Sequence, residues 1–252
     1  MFTHAITRRP SPEMVNGITT ANLGTPDHDL ALKQHDAYCS ALSSLGLAVT
    51  ILEPEQGYPD CCFVEDTAVV CQDVAVIAPL GAPSRQGEQV SLEPVLAGFK
   101  PLVRVESPAN FEGGDVLQID KMFYVGLSRR TNMAGAEALG AAVKKFGYDW
   151  KALPCGPSLH FKTDVNYIGK NTLLVSPFFA ESPVLAGFDT IVVEDEEAYA
   201  RNCLLINETV LVPKGFPKTL QAVEKVTSSI IVLDMSEFRK LDGGLSCLSL
   251  RF

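Results

Sequence analysis

The chain has 252 residues, 46% hydrophobic and 20% charged, a composition typical of a globular protein and unlike that of a disordered one. Its formal net charge of −9 disfavours nucleic acid and anionic membranes as partners, because both require a cationic face. No apolar run is long enough to cross a bilayer, and the N-terminus lacks the apolar stretch of a signal peptide. The seven cysteines have no framework or metal-ligand spacing, so we expect free thiols in a reducing cytoplasm.

A pattern of predicted elements repeats along the chain. Four times, two β-rich segments joined by a short polar turn are followed by a helical stretch and a third strand. The turns are Gln72-Asp73, Asp120-Lys121, Gly169-Lys170-Asn171 and Asn207-Glu208. The predicted helices span 91–99, 132–147, 182–188 and 218–226, and the third strands span 101–107, 149–154, 190–195 and 229–234. Each repeat is therefore strand–strand–helix–strand.

A fifth unit is divided between the two ends of the chain. GGLSCLSLRF supplies its first strand, FTHAITRRP its second, and a helix over 29–46 and the strand LAVTILEP complete it. Joining both ends in one unit closes the array and hides two edge strands. The sequence thus predicts one α/β domain over 1–252, a five-unit propeller of ββαβ repeats with pseudo-fivefold symmetry. A doubly wound sheet is the alternative, but it would alternate single strands with helices.

Corresponding positions in the five units carry chemically capable side chains. The reference positions recur at intervals of 48, 48, 44 and 43 residues, and they are Phe63, Phe111, Leu159, Cys203 and Ser246. First strands lie nearest the axis of a propeller, so residues beside these positions are expected to share one cavity. They are Glu65 and Asp66, Glu112, His160, Asn202 and Cys247.

A thiol, an imidazole and several carboxylates in one cavity indicate chemistry on a cation. Cys247 is the candidate nucleophile, although a single cysteine is more often a small buried residue. His160 can protonate a departing amine and later deprotonate water. The acids suit a guanidinium, which is planar, permanently charged and rich in N–H donors. These residues therefore fit cleavage of a guanidinium C–N bond better than cleavage of a peptide.

Two arginines follow the second strands of neighbouring units. Arg85 and Arg130 could each hold a substrate carboxylate, which would make the ligand an amino acid. A solvated surface charge is the alternative for each, and for Arg129 that alternative is preferred.

Motifs along essentially the whole chain resemble those of the dimethylarginine dimethylaminohydrolases, within the amidinotransferase or pentein superfamily. The matching stretches are FVEDTAVV, GAPSR, EGGDV, GLSRRTN, LHFKT, NCLLINE and KLDGGLSCLSLRF. The resemblance implies the five-unit propeller and the hydrolysis of asymmetric dimethylarginine or monomethylarginine to citrulline and dimethylamine or methylamine. It also implies a covalent thiouronium on sulfur and no metal or organic cofactor.

The resemblance further implies roles for single residues. Cys247 would be the nucleophile, His160 the acid/base and Glu112 the acid that orients histidine and substrate. Asp66 would bind the guanidinium nitrogens. The remaining implied contacts are pocket lining by Phe63 and Glu65, carboxylate binding by Arg85 and Arg130, and acceptance of the α-amino group by the carbonyl of Ile18. The segment 12–26 would form a mobile lid, and Asp164 has no role to assign.

Several alternatives remain open. Glu112-Gly113-Gly114-Asp115 also resembles arginine deiminases, which makes arginine or another small guanidino compound an alternative substrate. Those enzymes are longer and carry Arg-Asp-Pro where this chain has Val64-Glu65-Asp66-Thr67, which favours methylarginine. A non-enzymatic arginine-binding protein is a further alternative, as is a ribosome-associated pentein, which would lack the cysteine–histidine–acid set. The expected partner is a small guanidino amino acid rather than nucleic acid or membrane, and a homodimer is left open.

Overall fold

The computed structural model describes residues 1–77, 79–156 and 158–252, and its strands form five three-stranded sheets. In every sheet the first strand of the unit pairs antiparallel with the middle strand, which pairs parallel with the third. A parallel pair requires a crossover, and the segment between the second and third strands supplies it. The predicted ββαβ propeller is confirmed.

The elements follow one another in a regular order. The sheet shared by the two ends of the chain contains β1 (His4–Arg8), β2 (Ala48–Leu52) and β15 (Leu250–Arg251), with α1 (His28–Ser44) between β1 and β2. The next two sheets contain β3 (Ala68–Val70), β4 (Ala75–Ile77), α2 (Glu88–Ala97) and β5 (Leu102–Arg104), then β6 (Val116–Ile119), β7 (Met122–Leu127), α3 (Met133–Lys144) and β8 (Asp149–Pro154). The last two contain α4 (Phe161–Asp164), β9 (Val165–Gly169), β10 (Thr172–Val175) and β11 (Asp189–Val192), then β12 (Leu204–Ile206), β13 (Thr209–Pro213), α5 (Pro217–Glu224), β14 (Ile230–Leu233) and α6 (Ser236–Arg239).

The first strands of the units surround a common axis. Strand β15 contacts β3, and β9 contacts both β6 and β12. The ring is closed at the chain ends, where the backbone N–H groups of Thr3 and His4 both donate to the carbonyl of Phe252 at 2.9 Å. The predicted fifth unit, divided between the two ends, is therefore confirmed.

The predicted turns and most predicted helices match the structure. Asp120, Lys170, Asn171 and Asn207 all have positive φ, as hairpin turns of this kind require. The helices predicted at 29–46, 91–99, 132–147 and 218–226 correspond to α1, α2, α3 and α5. No helix in the described part of the chain combines the length and the apolar character needed to cross a membrane.

The helix predicted over 182–188 is wrong. Only a single 3-10 turn, Pro183–Leu185, forms there. Strand β11 then begins at Asp189.

The start of each first strand also differs from the prediction. A short helical turn precedes the strand in every unit, at Val64–Thr67, Gly113–Asp115, Phe161–Asp164, Asp195–Arg201 and Ser246–Leu248. The sequence predicted first strands that run through four of these segments, and at 195–201 a strand that begins only at Arg201. The candidate site residues consequently lie on turns at one end of the strands, where side chains can point in more than two directions.

Candidate active site

A cavity of about 500 Å³ opens at the end of the ring where the helical turns lie. Seven of the nine predicted site residues line it: Ile18, Phe63, Asp66, Arg85, Arg130, His160 and Cys247. We call it the mouth cavity. The structure thus brings together residues from segments that are up to 229 positions apart in sequence.

Glu112 lies directly behind His160 and is wholly buried. Its Oε2 is 2.8 Å from His160 Nε2, and its Oε1 accepts a hydrogen bond from Arg130 Nη1 at 3.1 Å. The backbone N–H groups of Gly81 and Ala82 also donate to Oε1, at 3.0 and 3.3 Å. A carboxylate with this many donors is fixed in position and orients the imidazole in turn.

Electrostatics favour an ion pair between these two groups. Burial alone would lower the pKa of His160, but the charges of Asp66, Asp115 and Glu112 and the hydrogen bond to Glu112 raise it to about 9. Burial opposes ionisation of Glu112 as well, yet the bond to His160 and the nearby cations hold the pKa of Glu112 well below its usual value. At neutral pH the site therefore carries an imidazolium that can give up a proton.

Cys247 lies in the turn Ser246–Leu248 and is half-buried. Its Sγ accepts the backbone N–H of Gly244 at 3.4 Å. Burial, together with the negative charges of Glu65 and Asp66, raises the pKa of Cys247 to about 12. The sulfur is consequently a thiol at neutral pH, and a cation bound beside it would favour the thiolate.

Asp66 and Arg85 form a buried ion pair in the wall of the cavity. Asp66 Oδ1 accepts the N–H of Gly114 at 3.0 Å, and Oδ2 accepts Arg85 Nη1 at 2.6 Å. Arg85 Nη2 donates to the Phe63 carbonyl, and its Nε and Nη2 both donate to Glu88. Four of the five N–H groups of a guanidinium are thereby engaged. Arg85 is not a solvated surface charge, and among the residues that the structure describes one of its N–H groups has no partner and remains for a ligand.

Glu65 does not line the mouth cavity, contrary to the expectation for it. It accepts from Lys162 Nζ, Arg251 Nη2 and Ser246 Oγ, each at 2.7 Å. Side chains of adjacent residues in a tight turn point in different directions, so those of Glu65 and Asp66 lie on opposite sides of this turn. Lys162, two residues after His160, is thus one of the two cationic partners of Glu65.

Ile18 and Thr20 of the segment 12–26 line the cavity, and two further acids anchor them. The N–H of Ile18 donates to both oxygens of Asp60, at 3.1 and 3.2 Å, and the N–H of Thr20 donates to Asp242 at 2.6 Å. Asp60 and Asp242 both line the cavity. The sequence reading missed them because neither occupies the position that repeats from unit to unit.

The other singled-out residues differ in their surroundings. Arg129 is exposed and contributes to the lining of the mouth cavity. Asp164 is buried in α4, 3.5 Å from Arg201 Nη1, and is not among the lining residues. Asn202 holds Ser246, accepting its N–H at 2.9 Å and donating to its hydroxyl at 3.0 Å.

Three potential metal ligands also lie close together. Oxygen and nitrogen atoms of Asp66, Glu112 and His160 are all within 4.8 Å of one another. Both carboxylates already pair with arginines, Asp66 with Arg85 and Glu112 with Arg130. The acids thus bind guanidinium groups of the chain itself, the same chemical group for which the sequence reading selected them.

Comparison with known proteins identifies the family. The sequence profile described as "N,N dimethylarginine dimethylhydrolase, eukaryotic" matches residues 24–177. A dimethylarginine dimethylaminohydrolase of Pseudomonas aeruginosa is 39% identical over 254 residues, covering 100% of both chains. A solved structure of that organism's enzyme, a cysteine-to-serine variant with citrulline, superimposes with a TM-score of 0.98 at 38% identity over 100% of both chains. A solved histidine-to-glycine variant, an adduct with S-methyl-L-thiocitrulline, gives 0.97 at 38% identity over 100% of both chains. The chain belongs to the dimethylarginine dimethylaminohydrolase family.

Proposed function

We propose that this protein hydrolyses asymmetric dimethylarginine and monomethylarginine to citrulline and dimethylamine or methylamine. The observation that carries the proposal is the shared cavity of Cys247, His160 and Asp66, with Glu112 bonded to the histidine. The full-length similarity to enzymes named for this reaction supports the choice of substrate. So does the citrulline held by the solved relative, since citrulline is the amino-acid product.

The first half of the reaction transfers the amidine carbon to sulfur. The substrate guanidinium binds against Asp66, and its positive charge lowers the pKa of the nearby Cys247 thiol, which loses its proton to solvent. The resulting thiolate adds to the central carbon, forming a C–S bond. His160 then gives its proton to the alkylated nitrogen, the C–N bond breaks, and the amine leaves. A positively charged thiouronium and a neutral imidazole remain.

The second half returns the enzyme to its starting state. Water loses a proton to neutral His160 and its oxygen bonds to the same carbon. The C–S bond breaks and the sulfur leaves with its electron pair. The second water proton passes to that thiolate, which restores the Cys247 thiol and completes the ureido group of citrulline. Glu112 keeps the imidazole in one orientation throughout, because it is itself held by Arg130 and two backbone amides.

The remaining assignments concern the amino-acid end of the substrate. Arg130 and the free N–H of Arg85 are the candidate partners of the α-carboxylate, and the carbonyl of Ile18 is the candidate partner of the α-amino group. Phe63 supplies apolar lining. No metal or organic cofactor takes part in the steps above. All seven cysteines are free thiols, which suits a reducing compartment such as the cytoplasm.

Product analysis on four substrates tests the proposal. The ureido product, which is citrulline from the three arginines and carbamoylputrescine from agmatine, and the released amine or ammonia would be measured with dimethylarginine, monomethylarginine, arginine and agmatine. We expect the methylated arginines to have the highest kcat/KM; a preference for arginine would instead support the deiminase alternative.

A pair of cysteine variants tests the nucleophile. Cys247→Ser should lower kcat by at least about 1,000-fold while the fold and substrate binding persist, because a serine hydroxyl is a far poorer nucleophile here. Cys155, the other half-buried thiol, provides the control, and Cys155→Ser should stay within about two-fold of wild type. If Cys247→Ser kept the wild-type turnover, Cys247 would not be the nucleophile.

A further inference from the structure

Three cavities follow one another along the axis of the ring. The mouth cavity shares His160, Asp242 and Cys247 with a small cavity of about 40 Å³. The small cavity shares Lys162 and Ser246 with a third cavity of about 180 Å³. Residues from the first strand of all five units line this third cavity: Val70, Leu117, Tyr167, Leu205 and Arg251 are examples. It therefore lies on the axis beyond the turns, and we call it the axial cavity.

The boundary between the small and axial cavities is polar. Glu65, Lys162 and Ser246 meet there, with the lysine ammonium and the serine hydroxyl each 2.7 Å from a Glu65 oxygen. Asn202 supports this boundary by donating to the backbone carbonyl of Lys162 at 3.1 Å and to the hydroxyl of Ser246. An apolar boundary would exclude water, whereas these polar groups offer hydrogen-bond partners to water in both the small and the axial cavity.

The small cavity has the size and lining of a water site. One water needs about 10–15 Å³ of such volume and two to four polar partners. The cavity is larger than that, and Thr163, Asn202 and Ser246 contribute to its lining. Cys247 and His160 line it too, so a water placed there adjoins both groups that the second half of the reaction uses.

While the covalent intermediate is hydrolysed, water can reach it less easily through the mouth cavity than through the small cavity. Once the amine has left, the rest of the amino acid stays attached to Cys247 and occupies the mouth cavity. The segment that carries Ile18 and Thr20 lines it, anchored to Asp60 and Asp242. Water from this side would have to pass both the intermediate and the anchored segment.

We infer that the water that hydrolyses the intermediate comes from the small cavity and is replenished from the axial cavity, past Lys162 and Ser246. The water gives one proton to His160, its oxygen bonds to the amidine carbon, and the bond from that carbon to Cys247 breaks. This inference rests on the proposed function, because it concerns the second half of that reaction.

Obstructing the axial cavity tests the route. Gln118 is exposed on β6 and Leu205 is half-buried on β12, and both line the axial cavity away from the reacting groups. The variants would be Gln118→Trp alone, which requires no repacking of a buried site, and Gln118→Trp combined with Leu205→Phe. Val192→Trp is the control, since Val192 is 40% exposed on β11 and is not among the residues described around the three cavities.

The expected result separates the two halves of the reaction. Slower hydrolysis should lower kcat and KM together by at least about five-fold while kcat/KM, which reports steps up to amine release, stays within about two-fold. Rapid-quench assays should show an undiminished first-turnover burst of dimethylamine, and intact-protein mass spectrometry should show the covalent adduct accumulating. Val192→Trp should behave as wild type.

Other outcomes would overturn the inference. If the folded double variant had the kcat and adduct fraction of wild type, the water would come through the mouth. A fall in kcat/KM as large as the fall in kcat, without adduct, would equally count against the route. If wild type released no amine from methylarginine, the proposed function would fail, and the failure would be visible before any variant was compared.

Discussion

The carboxylate of Asp115 accepts the backbone N–H of Phe161, the residue after His160, at 2.9 Å. Its other oxygen accepts the hydroxyls of Ser128 and Thr131, each at 2.6 Å, on the loop that carries Arg130. The wholly buried side chain of Asp115 thus holds both the turn that follows His160 and the loop that carries Arg130. Asp115 is not among the residues that line the mouth cavity and acts through the turn and the loop that it holds, so it is a positioning residue.

Replacement of Asp115 by Asn should damage catalysis in a recognisable way. An amide cannot accept from all these donors, and lost buried hydrogen bonds cost about 1–3 kcal/mol. The charge of Asp115 also raises the pKa of His160, so the alkaline limit of the pH–rate profile should move to lower pH. We expect kcat to fall by at least about ten-fold and KM to rise.

The control for Asp115 is Asp73→Asn, which changes an acid outside the site that accepts the Tyr148 hydroxyl at 2.7 Å. That variant should keep the wild-type pH profile. An Asp115→Asn enzyme that loses stability but keeps its alkaline limit unmoved would indicate a purely structural residue.

Glu88 should control substrate affinity through Arg85. Its carboxylate accepts Arg85 Nε at 3.1 Å and Nη2 at 2.8 Å, and without its charge the guanidinium would be less firmly held. Glu88→Gln should raise the KM for dimethylarginine by about three-fold to ten-fold with a smaller effect on kcat. Glu93 on the same helix pairs with the exposed Arg104, so Glu93→Gln is the matched comparison. Equal KM changes in both variants would refute this role.

His160 should set the alkaline limit of activity. Because the ring must be protonated to release the amine, kcat/KM should decline as pH rises through about 9. A pKa raised in the folded state also means that the protonated ring stabilises the fold. That contribution is fully present below about pH 6.5 and is lost as pH rises through about 9.

Melting curves can measure that contribution. The Tm difference between wild type and His160→Gln should be largest in mildly acidic buffer and should shrink above about pH 9. A difference that is constant with pH would contradict the assignment.

Gly113 should tolerate no side chain. A Cβ added there would overlap the backbone carbonyl oxygen of Glu65, so neighbouring turns would have to move apart. Gly113→Ala should cost at least about 2 kcal/mol of unfolding free energy and most of the activity. Gly187 has no atom within 4 Å of an added Cβ, and Gly187→Ala should change stability by less than about 0.5 kcal/mol. Chemical denaturation of both variants makes the comparison.

The ββαβ repeat could be predicted from sequence because short polar turns separate the first two strands of each unit. Asp120 and Asn207 mark hairpins by residue type alone, since both tolerate positive φ. The helical turns before the first strands gave no such signal. Val64 and Thr67 favour strands, but the Thr67 hydroxyl donates to the Val64 carbonyl at 2.7 Å and stabilises a turn instead.

That local difference explains which site residues could be placed in advance. The position that repeats from unit to unit identified Cys247, His160 and Asp66 as neighbours. It could not tell which side of the turn Glu65 faces, because that depends on backbone direction within two residues. Asp115 was similarly inaccessible, since its partners on the loop of residues 128–131 and at Phe161 are set by tertiary packing.

Because β15 pairs with β1, the two ends of the chain belong to one unit of the ring. No unit is therefore the structural start of the ring. Thr3 and Phe252 are hydrogen-bonded, so a few glycines could link the two ends, and new ends could be cut at the exposed turn around Gly215. Such a circular permutant would place the thiol-bearing segment inside the chain rather than at its edge. The Cys247 sulfur should still lie beside the His160 ring, because the neighbours of each unit would be unchanged.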